Sequence, residues 1–202
     1  MARWNPTYQI KLNDLFERNY GKKPIEVQRK LRPLLDSQPF IDVFGLQVID
    51  RIGERTQSGI DKNGKQFAFY SRDYANSLIF KIYGKSKSNP NLTLTGEMLS
   101  SMIHKANKRI ITIEMIGENN KAKAQGHVSG RLGRSKRIVK RDFLGLPKSE
   151  EDAIFKSVLD NLASESIDLS LALEQNAVNV ALGSGINRSM AQVLGVAYET
   201  DY

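Results

Sequence analysis

Positive charge is concentrated in one stretch of this 202-residue chain, between Lys121 and Arg141. The stretch contains eight lysine and arginine residues and no carboxylate, and three glycines are spaced through it. The basic residues are Lys121, Lys123, Arg131, Arg134, Lys136, Arg137, Lys140 and Arg141. Because the whole chain has 30 basic and 22 acidic residues, this stretch accounts for the entire net charge of +8. The chemistry that these residues suit is the binding of anions.

The glycines and the repulsion among like charges predict that residues 121–141 form a long basic loop. Such a loop stays open until an anionic partner neutralises it, and its attraction weakens as the salt concentration rises. Nucleic acid, an acidic protein surface and anionic lipid are the candidate partners. The alternative is a solvated loop that is basic but binds nothing.

Side chains suited to catalysis are scarce. The only histidines are His104, near the end of a predicted helix, and His127, in the basic loop. The chain has no cysteine, so disulfides and thiolate metal sites are impossible, and local spacing suggests no metal triad. The glycines and basic residues from Gly130 to Lys136 resemble a phosphate-binding loop. The stretch lacks the Gly-Lys-Ser/Thr ending of such loops, and no apolar strand precedes it. We therefore predict a protein that is not an enzyme and that has no metal and no cofactor.

Length and composition predict one globular unit with extensions. The chain is 40% hydrophobic, which is enough for a substantial core. The N-terminal residues lack the apolar region of a signal peptide, and no run approaches the roughly 20 apolar residues that span a bilayer. We expect a protein that is made and kept soluble and that has no membrane partner.

Helical patterns dominate the first part of the chain. A short helix is expected over Asn13–Tyr20, ended by Gly21, and another from Pro24 to Leu31. The clearest pattern runs from Phe40 to Arg55, where apolar residues recur along one helical stripe. The stripe consists of Phe40, Val43, Phe44, Val48 and Ile52.

A loop-rich excursion is expected next. Glycines, aspartate and asparagine give turn chemistry between Gly59 and Phe67. A helix is predicted over Ser71–Tyr83, followed by a flexible connector at residues 84–90. Residues 91–95 alternate like a short strand, and Thr95 can cap the helix that follows.

The middle of the chain contains the clearest strand pattern. Alternation over Arg109–Gly117 predicts a strand, with a turn at Glu118–Asn120 after it. One side of this strand is expected to carry Ile111, Ile113 and Met115.

After the basic loop, a short strand is expected over Asp142–Leu146, and then a helix capped by Ser149. The buried face of this helix is expected to consist of Ile154, Phe155, Val158, Leu159 and Leu162. Its first turn carries the acidic trio Glu150–Asp152, which suits the positive end of the helix dipole better than acid-base catalysis. From Ile167 onward the pattern fits a strand and a helix equally well. A break is expected at Gly183–Gly185. Residues 190–202 form an apolar-polar tail, of the kind that often docks on a neighbouring subunit.

These elements predict an α+β fold in which helices pack on a small antiparallel sheet, with a long basic loop and a C-terminal extension. We divide the chain into an N-terminal helical segment (1–39), a core α+β domain (40–166) and a C-terminal extension (167–202).

Six short sequence blocks follow one another in a characteristic order along residues 40–162. They are Arg55-Thr56, the run GIDKNGKQF from Gly59 to Phe67, Tyr70-Ser71 with Tyr74, LTLTGEML from Leu92 to Leu99, Gln125-Gly126-His127, and RDFLGL from Arg141 to Leu146. Taken in this order, the blocks resemble the phage virion morphogenesis proteins, also described as tail completion or neck proteins. The order and spacing of the blocks carry the resemblance.

The resemblance implies a small α+β protein of the virion-morphogenesis type, with a helical layer on an antiparallel sheet. It implies a structural ring component of the phage neck, where head and tail join, with no catalytic residue. The implied partners are other copies of the chain, expected to form a hexamer, and neighbouring neck, portal-adaptor or tail-tube proteins. The basic loop is then expected to face phage DNA in the channel, without sequence preference, or to dock on a partner. The expected location is the virion, after a period in the host cytoplasm.

The alternative function is a free-standing nucleic-acid-binding protein that uses the basic loop as its contact surface. The loop has no aromatic residue to stack on bases, and the sequence has no recognisable helix-turn-helix. This alternative therefore predicts nonspecific attraction to the nucleic-acid backbone.

Overall fold

The computed structural model describes residues 6–88, 90–92, 96–132, 136–137 and 139–181. A short 3-10 helix spans Arg32–Asp36. The helices and strands, in chain order, are β1 (Thr7–Lys11), α1 (Leu12–Tyr20), α2 (Ile25–Leu31), α3 (Gln38–Gln57), α4 (Arg72–Ala75), α5 (Leu78–Ile82), α6 (Glu97–Ser100), β2 (Met102–Asn107), β3 (Ile110–Met115), α7 (Glu118–Ser129), β4 (Arg131–Leu132), β5 (Lys136–Arg137) and α8 (Lys148–Ala181).

The predicted α+β class is confirmed. Helices pack on a three-stranded antiparallel sheet with the order β1-β3-β2, and β4 and β5 form a separate two-stranded hairpin. The chain divides into two compact units, one up to Leu159 and one from Asp160 onward. Strand β1 lies in the segment predicted as helical, and it pairs with β3 in the first unit.

Strand β3 is the centre of the sheet and matches its prediction. It pairs with β1 on one side and β2 on the other, so that Ile111 lies opposite both Ile10 and Ala106. Ile111, Ile113 and Met115 are fully buried, as the alternation along a half-buried strand requires.

Helix α3 covers the sheet with most of its predicted stripe. Phe40, Phe44, Val48 and Ile52 are fully buried, because residues three and four apart fall on one side of a helix. Val43 was predicted on the same stripe, but it is 40% exposed because it lies toward the solvent side of the helix.

The part of α8 that precedes Asp160 packs on α3 through aromatic rings. Phe155 lies edge-on to Phe40 and Phe44, with ring centroids 5.7 and 6.0 Å apart. Val158 and Leu159 are also buried, which confirms the centre of the predicted face. Periodicity placed these aromatic side chains on the buried side of each helix, and the structure shows that they pack against one another.

The predicted helix over Ser71–Tyr83 is two short helices, α4 and α5. The Ser71 hydroxyl accepts a hydrogen bond from the Tyr74 backbone N–H at 3.3 Å. The Ser77 hydroxyl accepts one from the Phe80 N–H at 3.2 Å. The second serine therefore starts a new helix, because its side chain satisfies a backbone donor that has no partner at a helix N-terminus.

Two other sequence predictions are wrong. The predicted turn at Glu118–Asn120 is the first turn of α7, which begins after Gly117 in a positive-φ conformation. The predicted strand at Asp142–Leu146 has no strand structure. Its carbonyl groups at Phe143 and Gly145 accept hydrogen bonds from a buried arginine side chain, so they are not available to a strand partner.

Helix α8 extends to Ala181, and this settles the choice between strand and helix after Ile167 in favour of a helix. The predicted break at Gly183–Gly185 and the tail at 190–202 lie outside the described residues, as do Thr95 and most of the strand predicted at 91–95. Among the described residues, no helix combines the length and apolar character needed to cross a membrane.

Candidate functional site

The basic stretch is not the long open loop that the sequence predicted. Its first part, from Lys121 to Ser129, belongs to helix α7, which ends at Gly130 in the left-handed conformation. The remainder contains the short strands β4 and β5. Alanine, lysine and glutamine favour a helix, so local propensity outweighed the expected repulsion between like charges.

Carboxylates from outside the stretch explain why this repulsion is weak. Lys121 Nζ lies 3.4 Å from Glu118, one turn earlier in α7. Lys123 Nζ lies 3.6 Å from Glu97 in α6. Both lysines are thus part of a surface of mixed sign, which the one-sided charge of the sequence segment did not reveal.

The same applies to Lys140, whose Nζ lies 3.9 Å from the Asp142 carboxylate. Asp142 also receives Lys62 Nζ at 3.0 Å, and the Lys62 N–H donates to its carbonyl oxygen at 2.8 Å. This end of the basic stretch is therefore joined to the turn that precedes Phe67.

Arg141 is buried and has a structural position, contrary to its predicted role in the basic loop. Its side chain is 7% exposed, and its guanidinium lies over the Tyr70 ring, 5.0 Å from the centroid. Nη2 donates hydrogen bonds to the carbonyl oxygens of Ala68 and Phe69 at 3.1 and 3.4 Å. Burial lowers the pKa of Arg141. The residue therefore connects α7 and the segment after it to residues 59–92, which are called the excursion below.

Strands β4 and β5 bring basic residues of the stretch opposite one another. Arg131 is exposed, and the strand register places it directly opposite Arg137, with Leu132 opposite Lys136. Arg134 lies outside the described residues. Like charges directly opposite each other destabilise a strand pair, so an anionic partner would stabilise this hairpin.

His127, predicted in the basic loop, lies on α7 with its Nδ1 atom buried and without a hydrogen-bond partner among the described residues. Its carbonyl oxygen accepts the Arg141 backbone N–H at 2.8 Å. Burial, together with the nearby positive charge of Arg141, lowers the pKa of His127 from 6.5 to about 4. The imidazole is therefore neutral at physiological pH in the folded protein.

The low pKa of His127 predicts a loss of stability in acid. Below pH 6.5 the unfolded chain binds this proton and the folded chain does not, so the contribution to stability falls as the pH falls toward 4. Between pH 7 and pH 5 the loss is about 2 kcal/mol. We expect the His127→Gln variant to lose correspondingly less stability over this interval in urea unfolding. The His104→Gln variant is the control, and an equal pH response in wild type and His127→Gln contradicts the prediction.

The other histidine, His104, lies on β2 rather than near the end of a helix. Its Nε2 is 3.2 Å from a carboxylate oxygen of Asp42 on α3. Helix and strand approach closely here, since a Cβ atom at Gly45 would lie 2.5 Å from the His104 ring. Among the described residues, no group of three or more His, Asp or Glu side chains is placed to hold a metal ion.

The acidic trio at the start of α8 takes part in side-chain networks as well as the helix dipole. Arg51 donates from two nitrogens to the two Glu150 oxygens, each at 3.1 Å. Arg18 reaches Glu151 at 3.0 Å and Asp152 at 2.7 Å. These pairs join α8 to α1 and α3, so the carboxylates have structural partners.

Sequence analysis missed an exposed apolar surface on the excursion, here called the α5 surface. It consists of Leu78, Ile79, Ile82 and Tyr83, each at least half exposed. Leu78 is 71% exposed and Ile82 is 69% exposed, whereas Phe80 on the opposite side of α5 is buried. The available signal was a five-residue helix in which four residues are apolar and lie on more than one side, so that one core cannot cover them all.

Comparison with protein-family models, with curated proteins and with solved structures found no match to this chain.

Proposed function

We propose that this protein is a structural protein of the phage neck, a subunit of a homo-oligomeric ring that joins head and tail. The observation that carries the proposal is the α5 surface. Contiguous exposed apolar side chains are unfavourable in water and are typical of protein contact sites. Such a surface fits an assembly role.

The α5 surface has a rigid support, as an assembly surface requires. Phe80 packs edge-on against Tyr70 and Tyr74, with ring centroids 5.3 and 5.5 Å apart. The Tyr70 hydroxyl donates to the Asn91 carbonyl oxygen at 2.6 Å and accepts the Asn91 N–H at 2.8 Å. Tyr70 and Asn91 are therefore joined by two hydrogen bonds, and the Tyr70 ring packs on Phe80 of α5. Such preorganisation reduces the entropy lost on association.

The blocks that resemble the neck proteins also contact one another. Arg55 from the first block donates to the carbonyl oxygens of Phe143 and Gly145 in the last. Lys62 pairs with Asp142, and Arg141 lies over Tyr70. These contacts support the proposal, because blocks that are distant in the sequence pack together in the fold. The residue types in one block are therefore matched to those in another.

A second candidate function, nonspecific nucleic-acid binding, is favoured by the β4–β5 hairpin. The opposed Arg131 and Arg137 positions suit contact with phosphate groups, which requires no base reading. In a ring, the same hairpin repeated in every subunit would produce a circle of positive charge around the channel or against the next ring. The two functions are therefore compatible, and they differ in whether the single subunit binds DNA by itself.

One set of samples tests both functions. The purified protein is measured by light scattering over a range of concentrations, alone, mixed with isolated phage tails and mixed with isolated phage heads. Large species are imaged by negative stain. We expect rings, or particles bound at one end of the tails, with six copies as the expected ring. A chain that is monomeric at every concentration and binds neither tails nor heads contradicts the neck proposal. Binding of duplex DNA by that monomer, weakening steeply with salt, would support the second candidate instead.

A further inference from the structure

Helix α3 carries a second exposed surface, here called the α3 face, on the side away from the sheet. Its residues follow one helical stripe and combine two aliphatic side chains with two carboxylates: Val43, Leu46, Asp50 and Glu54. Leu46 is 54% exposed. The nearby Arg51 is engaged, since it bonds Glu150 and also reaches Glu54. The α3 face is thus apolar at its N-terminal end and acidic toward its C-terminal end.

The α5 surface has the opposite charge. Lys81 within α5 and Lys87 after it are exposed, and the half-buried Lys85 lies between them in the sequence. The only carboxylate between Arg72 and Ser88 is Asp73. Each surface therefore has an apolar part, and the charges beside these parts have opposite signs, which is the complementarity that favours contact between them.

Self-pairing of either surface is unfavourable. Two α5 surfaces facing each other would bring Lys81 and Lys87 of both copies together, and two α3 faces would do the same with Asp50 and Glu54. A symmetric dimer uses one surface twice, whereas a closed ring uses two different surfaces of each subunit. The chain provides two different surfaces of matching chemistry.

We propose that the α5 surface of one copy packs on the α3 face of the next copy and that this contact closes the ring. The inference rests on the proposed function, since it names the subunit interface of that assembly. Leu78 and Ile82 of one subunit then cover Val43 and Leu46 of its neighbour. Lys81 comes near the carboxylates of Asp50 or Glu54, and the repeat of one contact around the ring leaves no surface of either kind exposed.

Cysteine cross-linking tests the interface directly, because the chain has no native cysteine. Leu46→Cys and Leu78→Cys are prepared separately, checked for folding by circular dichroism and treated with a short bifunctional maleimide, alone and mixed. We expect a covalent dimer in the mixture and in neither variant alone. The double variant should give a ladder of multimers that ends at the ring. Lys30→Cys, exposed on α2, replaces either partner as the matched control and should give no dimer.

The possible failures are distinguishable. If Leu78→Cys cross-links with itself, the α5 surface forms a symmetric contact and the proposed interface is overturned. If light scattering shows rings of the variants but the mixture gives no covalent dimer, the ring uses other surfaces and only this inference fails. If the wild-type chain remains monomeric and binds no phage particle, the proposed function fails as well.

Discussion

Replacing Arg55 with alanine is expected to lower the free energy of unfolding by about 3 kcal/mol, the largest stability effect predicted for a single substitution here. Arg55 is 4% exposed, and its Nη2 donates to the carbonyl oxygens of Phe143, at 2.9 Å, and Gly145. Its Nη1 lies 3.8 Å from a Glu150 oxygen. Burial lowers the pKa of Arg55. Alanine would leave both buried carbonyls without their donor and a cavity where the side chain was.

The irregular segment at 142–146 should be destabilised most. Its carbonyl groups have no neighbouring strand to bond, and Arg55 supplies their hydrogen-bond donor instead. Urea unfolding followed by circular dichroism gives the free energy. Arg51→Ala is the matched control: it also removes an arginine from α3 that bonds Glu150, but Arg51 is exposed, and a solvent-exposed pair contributes about 0.2–1 kcal/mol. Equal losses in the two variants would show that the carbonyl contacts of Arg55 have no special importance.

Replacing Arg141 with alanine is expected to lower the free energy of unfolding by about 2 kcal/mol. The variant loses two hydrogen bonds to Ala68 and Phe69 and the contact with the Tyr70 ring. Arg141→Lys should recover little of this stability, because an ammonium group does not reproduce the planar fork of the guanidinium. The basic-loop hypothesis predicts the opposite, namely a binding defect in a stable protein.

The neighbouring Lys140 provides the control for Arg141. Lys140 is exposed, and its pairing with Asp142 is at 3.9 Å, so Lys140→Ala should change stability by no more than about 0.5 kcal/mol. Hydrogen exchange of residues 68–91 should become faster in Arg141→Ala and not in Lys140→Ala, since Arg141 holds this segment. If hydrogen exchange of residues 68–91 is the same in Arg141→Ala and the wild type, Arg141 does not anchor this segment.

Local periodicity determined the elements that the sequence predicted well. The buried stripe of α3, the alternation of β3 and the helical start of α8 each repeat a burial pattern over enough residues to identify both the element and its inner side. These patterns were sufficient to predict the α+β class. The same reasoning failed where one residue changed the pattern, as Ser77 did by starting α5 within the predicted helix.

The candidate interaction site depended on contacts between distant parts of the chain. Sequence composition identified the eight basic residues, but Glu97 and Glu118 lie outside the stretch and pair with two of them. The burial of Arg141 depends on Tyr70, which only the folded chain brings beneath its guanidinium. A count of charge along the sequence contains no information about these partners.

The sequence by itself determined the α+β class, the core-facing residues of β3 and most of the core stripe of α3. Each of these depends on a short pattern of apolar residues that repeats along the chain. Only the tertiary structure decided that Arg141 is an internal anchor, that Arg131 lies opposite Arg137 in the β4–β5 pair, and that α5 exposes its aliphatic side chains. The physical reason is that burial and charge pairing depend on which distant segments meet. In this chain, that meeting leaves α5 with only Phe80 in the core and its other apolar residues in solvent.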